Sequence, residues 1–329
     1  ASAGDITLFA GGSAPQVNQS ETDSVEIYNH ITKLWTTATL SLPRKKPEAV
    51  TVGSKIVIAG GETGRTPDYT DVIDIYDTDT NTWTTSRLNG ARQYFGAAHA
   101  SGAHMGSSDA GVAVFAGGFF NDLRLGDVDI FDPYNGKSGK HYTTDHLYQN
   151  RSNLHGVTVG KNGRWEAFGP GNIAAEAKIT LDFYDGETGN WAHRKSHVEM
   201  VDQGVASVGN VAFFVGADGY ADTFALDGDC SMFDDVVSSS ATDVVSFSTV
   251  TVEVEHQWVF KTSKDVGYVH MSTIEQAGHG GPLAVAFQAT PGSKTEGSDT
   301  QSIYLKLSKD NGITWAPHTV LIKPGFTQA

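Results

Sequence analysis

The chain has 329 residues, a formal net charge of −15 and a sequence pI near 5.1. This acidic balance excludes nucleic acid and anionic membrane as main partners, because both require a basic surface. The single cysteine, Cys230, excludes an intrachain disulfide. No apolar run approaches the ~20 residues of a membrane-spanning helix.

One pattern recurs along the chain: a β-rich run ending in glycine, then an acidic-aromatic strand, then in most copies a tryptophan. The four clearest copies are 6–12 with 25–28 and Trp35, 56–61 with 73–76 and Trp83, 112–118 with 128–131, and 165–169 with 181–184 and Trp191. A fifth copy, around 211–216, lacks the second glycine and the tryptophan. A period of about fifty residues made of strands and turns is typical of a β-propeller, with one four-stranded sheet per repeat.

Each part of the pattern has a structural role in such a fold. The glycine pair ends the second strand at backbone angles that other residues avoid. The tyrosine and tryptophan rings fill the space between neighbouring sheets. Acidic and glycine-rich turns such as 77–81, 132–136 and 185–190 join the third strand to the fourth. We therefore assign these residues to packing and not to a ligand.

The pattern resembles the kelch repeat over about residues 5–230. Its marks are the glycine pair and a tyrosine followed seven residues later by tryptophan, as in Tyr28 to Trp35. In the third repeat Phe131 replaces the tyrosine, and Tyr142 is the predicted substitute for the tryptophan. The resemblance implies an all-β propeller.

The last hundred residues or so carry a different motif, which resembles the Asp-box of sialidase-like (BNR) propellers. Its residues are Ser308, Asp310, Gly312, Thr314 and Trp315. The resemblance implies a structural hairpin turn, in which the aspartate accepts hydrogen bonds from turn N–H groups. We expect one Asp-box blade in residues 241–329, after kelch-like blades in residues 1–240.

The count of repeats predicts six four-stranded blades, with seven as the alternative, in a single domain spanning residues 1–329. Because the first repeat opens on what reads as a second strand, we expect a C-terminal strand to complete the first blade and close the ring.

An arginine precedes the innermost strand of three successive repeats, at Arg44, Arg92 and Arg151. Either each arginine braces its own turn by hydrogen bonds to carbonyls, or the three converge at one channel mouth and bind an anion. The predicted ligand-binding residues are Arg44, Arg92, Arg151, Tyr94, His155, Tyr268 and His270.

The histidines do not form a recognisable metal site, and a thiolate site is excluded by the cysteine count. Kelch propellers also include copper-radical oxidases. Such an enzyme would need Cys230 crosslinked to a tyrosine, with further tyrosine and histidine ligands, and no tyrosine–histidine pair in a kelch context follows Cys230 in the sequence. We expect no metal and no cofactor.

The sequence favours an extracellular binding propeller that recognises a glycan or a protein at its channel mouth. The sequons at Asn18 and Asn150 and the small, polar N-terminal residues point toward a secreted glycoprotein. The alternatives are a carbohydrate-active enzyme, either a sialidase-like glycoside hydrolase or a polysaccharide lyase, and an intracellular kelch adaptor. Glu48, Asp202 and Glu275 are the candidate acids of an enzyme by position alone.

Replacing Asp310 tests the structural role of the Asp-box. We expect Asp310→Ala to lower the free energy of unfolding by about 1–3 kcal/mol, the cost of leaving turn N–H groups unpaired, while ligand binding by the folded protein is unchanged. Urea denaturation measures the first effect, with the neighbouring Lys309→Ala as the control. An Asp310→Ala protein of full stability that no longer binds its ligand would assign the motif to function.

Overall fold

The structure is a computed structural model. It describes residues 1–13, 21–65, 68–142, 145–160, 163–169, 171–173, 180–195, 204–215, 220–226, 254–258, 268–276, 282–290, 302–309 and 314–322. The chain divides into two compact units, Ala1–Thr158 with Asn162–Arg194, and Val159–Lys161 with Lys195–Ala329. The expected single domain of residues 1–329 concerns how these units assemble and stays a prediction.

The first unit consists of antiparallel sheets in chain order. Sheet 1 contains β1 (Ser2–Ala3), β2 (Ile6–Ala10), β3 (Ser24–Asn29) and β4 (Trp35–Thr39). Sheet 2 contains β5 (Glu48–Val52), β6 (Lys55–Ala59), β7 (Val72–Asp77) and β8 (Thr82–Arg87). Sheet 3 contains β9 (Gly96–Ala100), β10 (Val112–Phe120), β11 (Leu123–Asp132), β12 (Lys140–His141) and β13 (Asp145–Arg151). Sheet 4 contains β14 (His155–Val159), β15 (Trp165–Gly169), β16 (Thr180–Asp185) and β17 (Trp191–Lys195). A short 3₁₀ helix, Ala103–Met105, lies between β9 and β10.

Among the described residues, the second unit holds two further antiparallel sheets. Sheet 5 contains β18 (Gly204–Val208), β19 (Val211–Val215), β20 (Tyr220–Ala225) and β21 (Val254–Trp258). Sheet 6 contains β22 (Tyr268–Gln276), β23 (Leu283–Thr290), β24 (Ser302–Ser308) and β25 (Thr319–Ile322). Stacked Phe287 and Tyr304 rings, 5.7 Å apart, pack within sheet 6.

The all-β, propeller-like arrangement is confirmed, but the predicted number of four-stranded blades is wrong. Within the described part of the chain five sheets have four strands, rather than six or seven, and sheet 3 has five. The reason is that the outer strand of sheet 3 is split: β12 pairs with one end of β11, and β13 pairs with its other end.

The expected closure of the first blade by a C-terminal strand is also corrected. The N-terminal strand β1 pairs with β2, with Ser2 opposite Thr7 and Ala3 opposite Ile6. The first repeat therefore contains its own innermost strand, which is too short to have shown a strand pattern in the sequence.

Among the described residues, three buried apolar clusters hold the first unit together, and each lies between two neighbouring sheets. Leu8, Val25 and Ile27 of sheet 1 pack against Ile56, Ile58 and Tyr76 of sheet 2. A second cluster joins sheets 2 and 3, and a third joins sheets 3 and 4. This is the packing expected when each sheet uses its two faces for its two neighbours.

The repeated aromatic pairs lie where the sequence predicts them, with one exception. Ring centroids are 4.9 Å apart in Tyr28–Trp35, Tyr76–Trp83 and Tyr184–Trp191. In sheet 3 the ring next to Phe131 is that of His141, also at 4.9 Å, and not that of Tyr142. The correction follows from the register, because Phe131 lies directly opposite His141.

The glycine pairs of sheets 1 and 2 follow the ends of β2 and β6 as predicted, whereas Gly117 and Gly118 lie within β10, which continues to Phe120. At the first two pairs a neighbouring backbone leaves no room for a side chain. Gly60 has a φ of 61°, and a Cβ there would lie 2.7 Å from the carbonyl oxygen of Arg92. Gly11 has a φ of 70°, and its Cβ would lie 2.5 Å from the carbonyl oxygen of Arg44. Each pair thus abuts the turn that leads into the next sheet.

Part of the Asp-box region is described. Buried Ser308 ends β24, and the Ala316 N–H donates to the Leu307 carbonyl at 2.8 Å, so a connection between β24 and β25 begins where the motif predicts a turn. Thr314 is exposed and Trp315 is half-buried. Asp310 and Gly312 lie outside the described residues, so the Asp-box blade stays a prediction.

Sheet 4 buries an acid at a position that is apolar in sheets 2 and 3. Glu166 lies opposite Tyr184, just as Ile56 lies opposite Tyr76 and Ala113 opposite Phe131. Its side chain is fully buried, and neither carboxyl oxygen has a hydrogen-bond partner among the residues that the structure describes. Burial, and then the nearby charge of Asp185, raises the pKa of Glu166 well above its usual value.

This acid makes stability depend on pH. Because the pKa of Glu166 is higher in the folded than in the unfolded chain, its contribution to stability is complete below about pH 4.5 and is lost as pH rises toward the folded pKa. We expect Glu166→Leu to flatten this decline and to raise the free energy of unfolding by roughly 1–3 kcal/mol at alkaline pH. Thermal unfolding at acid, neutral and alkaline pH measures it, with exposed Asp109→Asn as the control. Parallel pH curves for Glu166→Leu and the wild type would contradict the assignment.

Candidate functional site

The three predicted arginines occupy equivalent turns, which we call the arginine turns. Arg44 and Arg92 lie four residues before the first residues of β5 and β9, and Arg151 lies four residues before β14. All three side chains are buried, with relative exposures of 0%, 1% and 0%. The residue two positions after each arginine is left-handed: Lys46, Tyr94 and Asn153 have φ of 55°, 56° and 52°.

Each guanidinium forms an ion pair with the aspartate on the third strand of the sheet that follows the arginine in the chain. Arg44 Nη2 lies 2.6 Å from Asp74 Oδ2 on β7. Arg92 pairs in the same way with Asp129 on β11, and Arg151 pairs with Asp182 on β16. These aspartates belong to the acidic-aromatic strand of each repeat.

The second oxygen of each aspartate accepts a backbone hydrogen bond from the residue three positions before the arginine. The donors are the N–H groups of Ser41, Asn89 and Tyr148, at 3.1, 3.1 and 3.0 Å. The aspartate therefore holds the turn at two points, the backbone and the guanidinium.

The guanidiniums also donate to backbone carbonyls of the sheets with which they form their ion pairs. Arg44 donates to Ile58 O at 3.2 Å, and Arg92 donates to Gly117 O at 3.3 Å and to Asp127 O at 2.9 Å. Arg151 donates to Thr180 O. These bonds use the planar fork of arginine, which a lysine does not offer.

Burial dominates the electrostatics of these pairs. It lowers the pKa of Arg44, Arg92 and Arg151 from the usual arginine value, and the paired aspartate opposes that shift in each case. Burial also raises the pKa of Asp182, against the effect of the Arg151 charge. Removing one partner would leave the other charge buried and uncompensated.

The backbone of each arginine turn contacts the preceding sheet. The Gly12 N–H of sheet 1 donates to the Arg44 carbonyl at 2.9 Å, and the Gly61 N–H of sheet 2 donates to the Arg92 carbonyl at 2.9 Å. Each turn is thus fixed by its backbone to one sheet and by its side chain to the next.

This geometry is that of the bracing alternative. Each guanidinium is directed into a different sheet and is already engaged by a carboxylate, so the three do not lie open together at one mouth. Anion binding by these arginines stays a prediction, and it would require an ion pair to open. The sequence held a signal for the brace, because an aspartate recurs two residues before the tyrosine or phenylalanine of the aromatic pair in sheets 2, 3 and 4.

The other predicted ligand residues lie in separate surroundings. Tyr94 is half-buried, and the Lys46 ammonium lies 4.5 Å from its ring centre and donates to its hydroxyl. The Asn153 N–H donates to the Tyr94 carbonyl at 2.8 Å, which brings the turn before exposed His155 next to Tyr94. Tyr268 and His270 lie on β22 of the second unit, and their side chains are outside what the structure describes.

An apolar surface that the sequence analysis missed lies at the same end of sheets 2 and 3 as the arginine turns. We call it the turn-side patch, and it consists of Tyr69, Phe119, Phe120 and Leu123. The Tyr69 ring centre lies 6.5 Å from that of Phe119 and 5.7 Å from that of Phe120. Leu123 is 65% exposed at the end of the β10–β11 hairpin. The hairpin continues past the glycine pair to a turn at Asn121 and Asp122, with φ of 46° and 63°.

The histidines and acids considered as metal ligands or catalytic groups do not come together at one site among the described residues. His99 is bonded to the Ala110 carbonyl at 2.8 Å, and His146 lies 3.3 Å from Asp127. The structure, over the residues it describes, brings no three histidine, cysteine or acidic side chains together as a metal site. Burial raises the pKa of Glu48 to about 8. Asp202 and the side chain of Glu275 are not among the described groups.

The comparison with protein families supports the fold. A model of the family described as "Kelch motif" matches residues 43–86, which is the repeat that forms sheet 2. None of the curated proteins compared with the chain matches it. The match and the propeller-like sheets together support a kelch-type β-propeller, whereas the resemblance to sialidase-like propellers gains no support. Among the described residues no helix is long and apolar enough to cross a membrane.

Alanine replacement separates the bracing role from ligand binding. We expect Arg92→Ala to lower the free energy of unfolding by about 3–5 kcal/mol, because Asp129 is left buried and unpaired, and Arg44→Ala and Arg151→Ala to act alike. Urea denaturation provides the measurement. The control is Arg87→Ala, which removes an exposed pair to Asp71 and should cost about 0–1 kcal/mol. A loss no larger than that of the control would show that the pairs do not brace the sheets.

Proposed function

We propose that this protein is an interaction module that binds a protein partner through the turn-side patch. A kelch-type propeller is typically a protein-interaction domain. The observation that carries the proposal is the cluster itself, in which exposed Leu123 lies next to the half-buried rings of Tyr69, Phe119 and Phe120. Aromatic and aliphatic groups held together at the surface are costly to hydrate, and contiguous patches of this kind mark interaction sites.

The surroundings of the patch support a role in binding. Exposed charged residues border it, among them Arg65, Asp68 and Asp122. An apolar centre with a polar rim is the usual anatomy of a protein interface. The arginine turns fix the ends of β6, β9 and β10, so the loops that carry the patch are held rigidly. Binding then costs less conformational entropy.

Glycan recognition at the same patch is the second candidate. Tyr69 offers both a ring face and a hydroxyl group, and it packs beside Phe120, so a sugar ring could stack there while its hydroxyls bond to the rim. An extracellular location is part of this candidate. Asn150 is exposed on β13, which leaves space for an attached glycan, and Asn18 lies outside the described residues. The intracellular adaptor alternative would use the same patch for a protein.

The patch is tested with the double variant Tyr69→Ser/Leu123→Ser. We expect affinity capture with the double variant, followed by quantitative mass spectrometry, to lack at least one specific partner that the wild type captures. We expect that partner, once purified, to bind the double variant about tenfold or more weakly than the wild type. Val320→Ser, which removes a 38% exposed valine from β25, is the matched control.

A glycan array run on the same proteins decides between the two candidates. Retention of the full partner set by the double variant would contradict the proposal. A glycan bound by the wild type and lost by the double variant would favour the second candidate.

A further inference from the structure

The arginine turn between sheets 2 and 3 contains an asparagine followed by a glycine, Asn89–Gly90. The corresponding positions of the other two arginine turns are Ser41–Leu42 and Tyr148–Gln149. The Asn89 side chain is exposed, and neither its carboxamide nor the Gly90 N–H has a hydrogen-bond partner among the described residues. Both groups that take part in asparagine deamidation are therefore free to react.

The fold does not require a glycine at position 90. The φ angle of Gly90 lies outside the left-handed region, and a Cβ there would meet no atom within 4 Å. A second asparagine–glycine pair, Asn135–Gly136, differs in this respect, because Gly136 has a φ of 80°, which favours glycine. The glycine after Asn89 thus leaves the asparagine reactive without serving the backbone.

We propose that Asn89 is a site of spontaneous deamidation and isoaspartate formation. The deprotonated Gly90 nitrogen attacks the side-chain carbonyl carbon of Asn89 and forms a new C–N bond, and the carboxamide nitrogen leaves as ammonia. Water then opens the resulting succinimide at either of its carbonyl groups, which leaves aspartate or isoaspartate at position 89. Asparagine is thermolabile in general, and a glycine on its C-terminal side offers the least steric resistance to ring closure because it has no Cβ.

Isoaspartate at this position would change the brace. The Asn89 N–H donates to Asp129 Oδ1 at 3.1 Å, and Arg92 Nε donates to the Gly90 carbonyl at 3.3 Å. The main chain of isoaspartate runs through the side-chain carbons, so it is longer by one methylene between these two anchors. Its free carboxylate is attached to the Cα that follows the N–H bound to Asp129, which brings two negative charges close together. Modification of Asn89 therefore weakens the attachment of this turn to sheet 3.

The Asn135–Gly136 pair offers an internal comparison. Both residues are exposed in the turn at 132–136, and neither has a hydrogen bond with another described residue. Isoaspartate at position 135 would lengthen an exposed turn and leave the brace intact. All the residues compared lie within the first unit, and none belongs to the turn-side patch.

The test ages the purified full-length protein at mildly alkaline pH, which raises the deprotonated fraction of the Gly90 amide. Trypsin places the two asparagines in separate peptides, 88–92 and 125–137, and chromatography with mass spectrometry separates the asparagine, aspartate and isoaspartate forms of each. We expect the 88–92 peptide to convert progressively, with isoaspartate as the main product. After return to neutral pH, the urea midpoint of the protein should fall in step with that conversion.

Matched variants assign the loss of stability to one site. Gly90→Ala places a methyl group beside the attacking nitrogen, so it should prevent most of the conversion at Asn89 and leave the urea midpoint of fresh protein unchanged. Asn89→Gln keeps the backbone N–H and an amide but needs a larger ring to cyclise, so it should protect the aged protein in the same way. Asn135→Gln should block conversion of the 125–137 peptide without protecting the urea midpoint.

Three results would overturn the proposal. An 88–92 peptide that keeps its asparagine, whether or not the 125–137 peptide converts, would show that the turn protects Asn89. Conversion of Asn89 without a fall in the urea midpoint would show that the brace tolerates isoaspartate. An equal fall in the aged wild type and the aged Asn89→Gln protein would place the damage elsewhere in the chain.

Discussion

The buried ion pair between the arginine of each turn and the aspartate of the third strand is the constraint on which the first unit depends. An arginine side chain enters a sheet interior only if its charge is met by a carboxylate and its N–H groups by carbonyl oxygens. Asp74 meets both the Arg44 guanidinium and the Ser41 N–H. Because the same turn accepts a hydrogen bond from the glycine pair of the previous sheet, one interaction fixes the order, the spacing and the orientation of neighbouring sheets.

The constraint also places the surfaces that the molecule offers to others. The ends of the second strands are held by the arginine turns, so the loops and the β10–β11 hairpin that follow them can be long and can carry apolar groups such as Leu123 without loosening the sheets.

Much of the fold could be predicted from the sequence, because its signals are local. The residues that form a strand, a glycine pair or a tyrosine–tryptophan pair lie within a few positions of one another in the chain. The errors have physical reasons. The ring that packs against Phe131 is set by the register between β11 and β12, which cannot be read from the sequence. The strand β1 is too short to show an alternation of polar and apolar residues. The arginines were recognised as a series, but their partners lie about thirty residues further along the chain, at Asp74 and Asp182. The turn-side patch was missed because its members become neighbours only when sheets 2 and 3 pack together.

The brace also defines where one repeat ends and the next begins. The Ser41 N–H and the Arg44 guanidinium both bind Asp74 of sheet 2, although Leu40, one residue earlier, packs in the cluster with sheet 1. The same boundary recurs before Asn89, whereas Tyr148 and Arg151 lie on β13, which also pairs with β11 of sheet 3. At the first two boundaries, a repeat that is duplicated, deleted or exchanged with another propeller therefore has to be cut directly before the residue three positions ahead of its arginine. A cut placed between the last strand and the arginine at any later point would separate an aspartate from half of its donors, so recombination of whole repeats in this chain has a fixed phase.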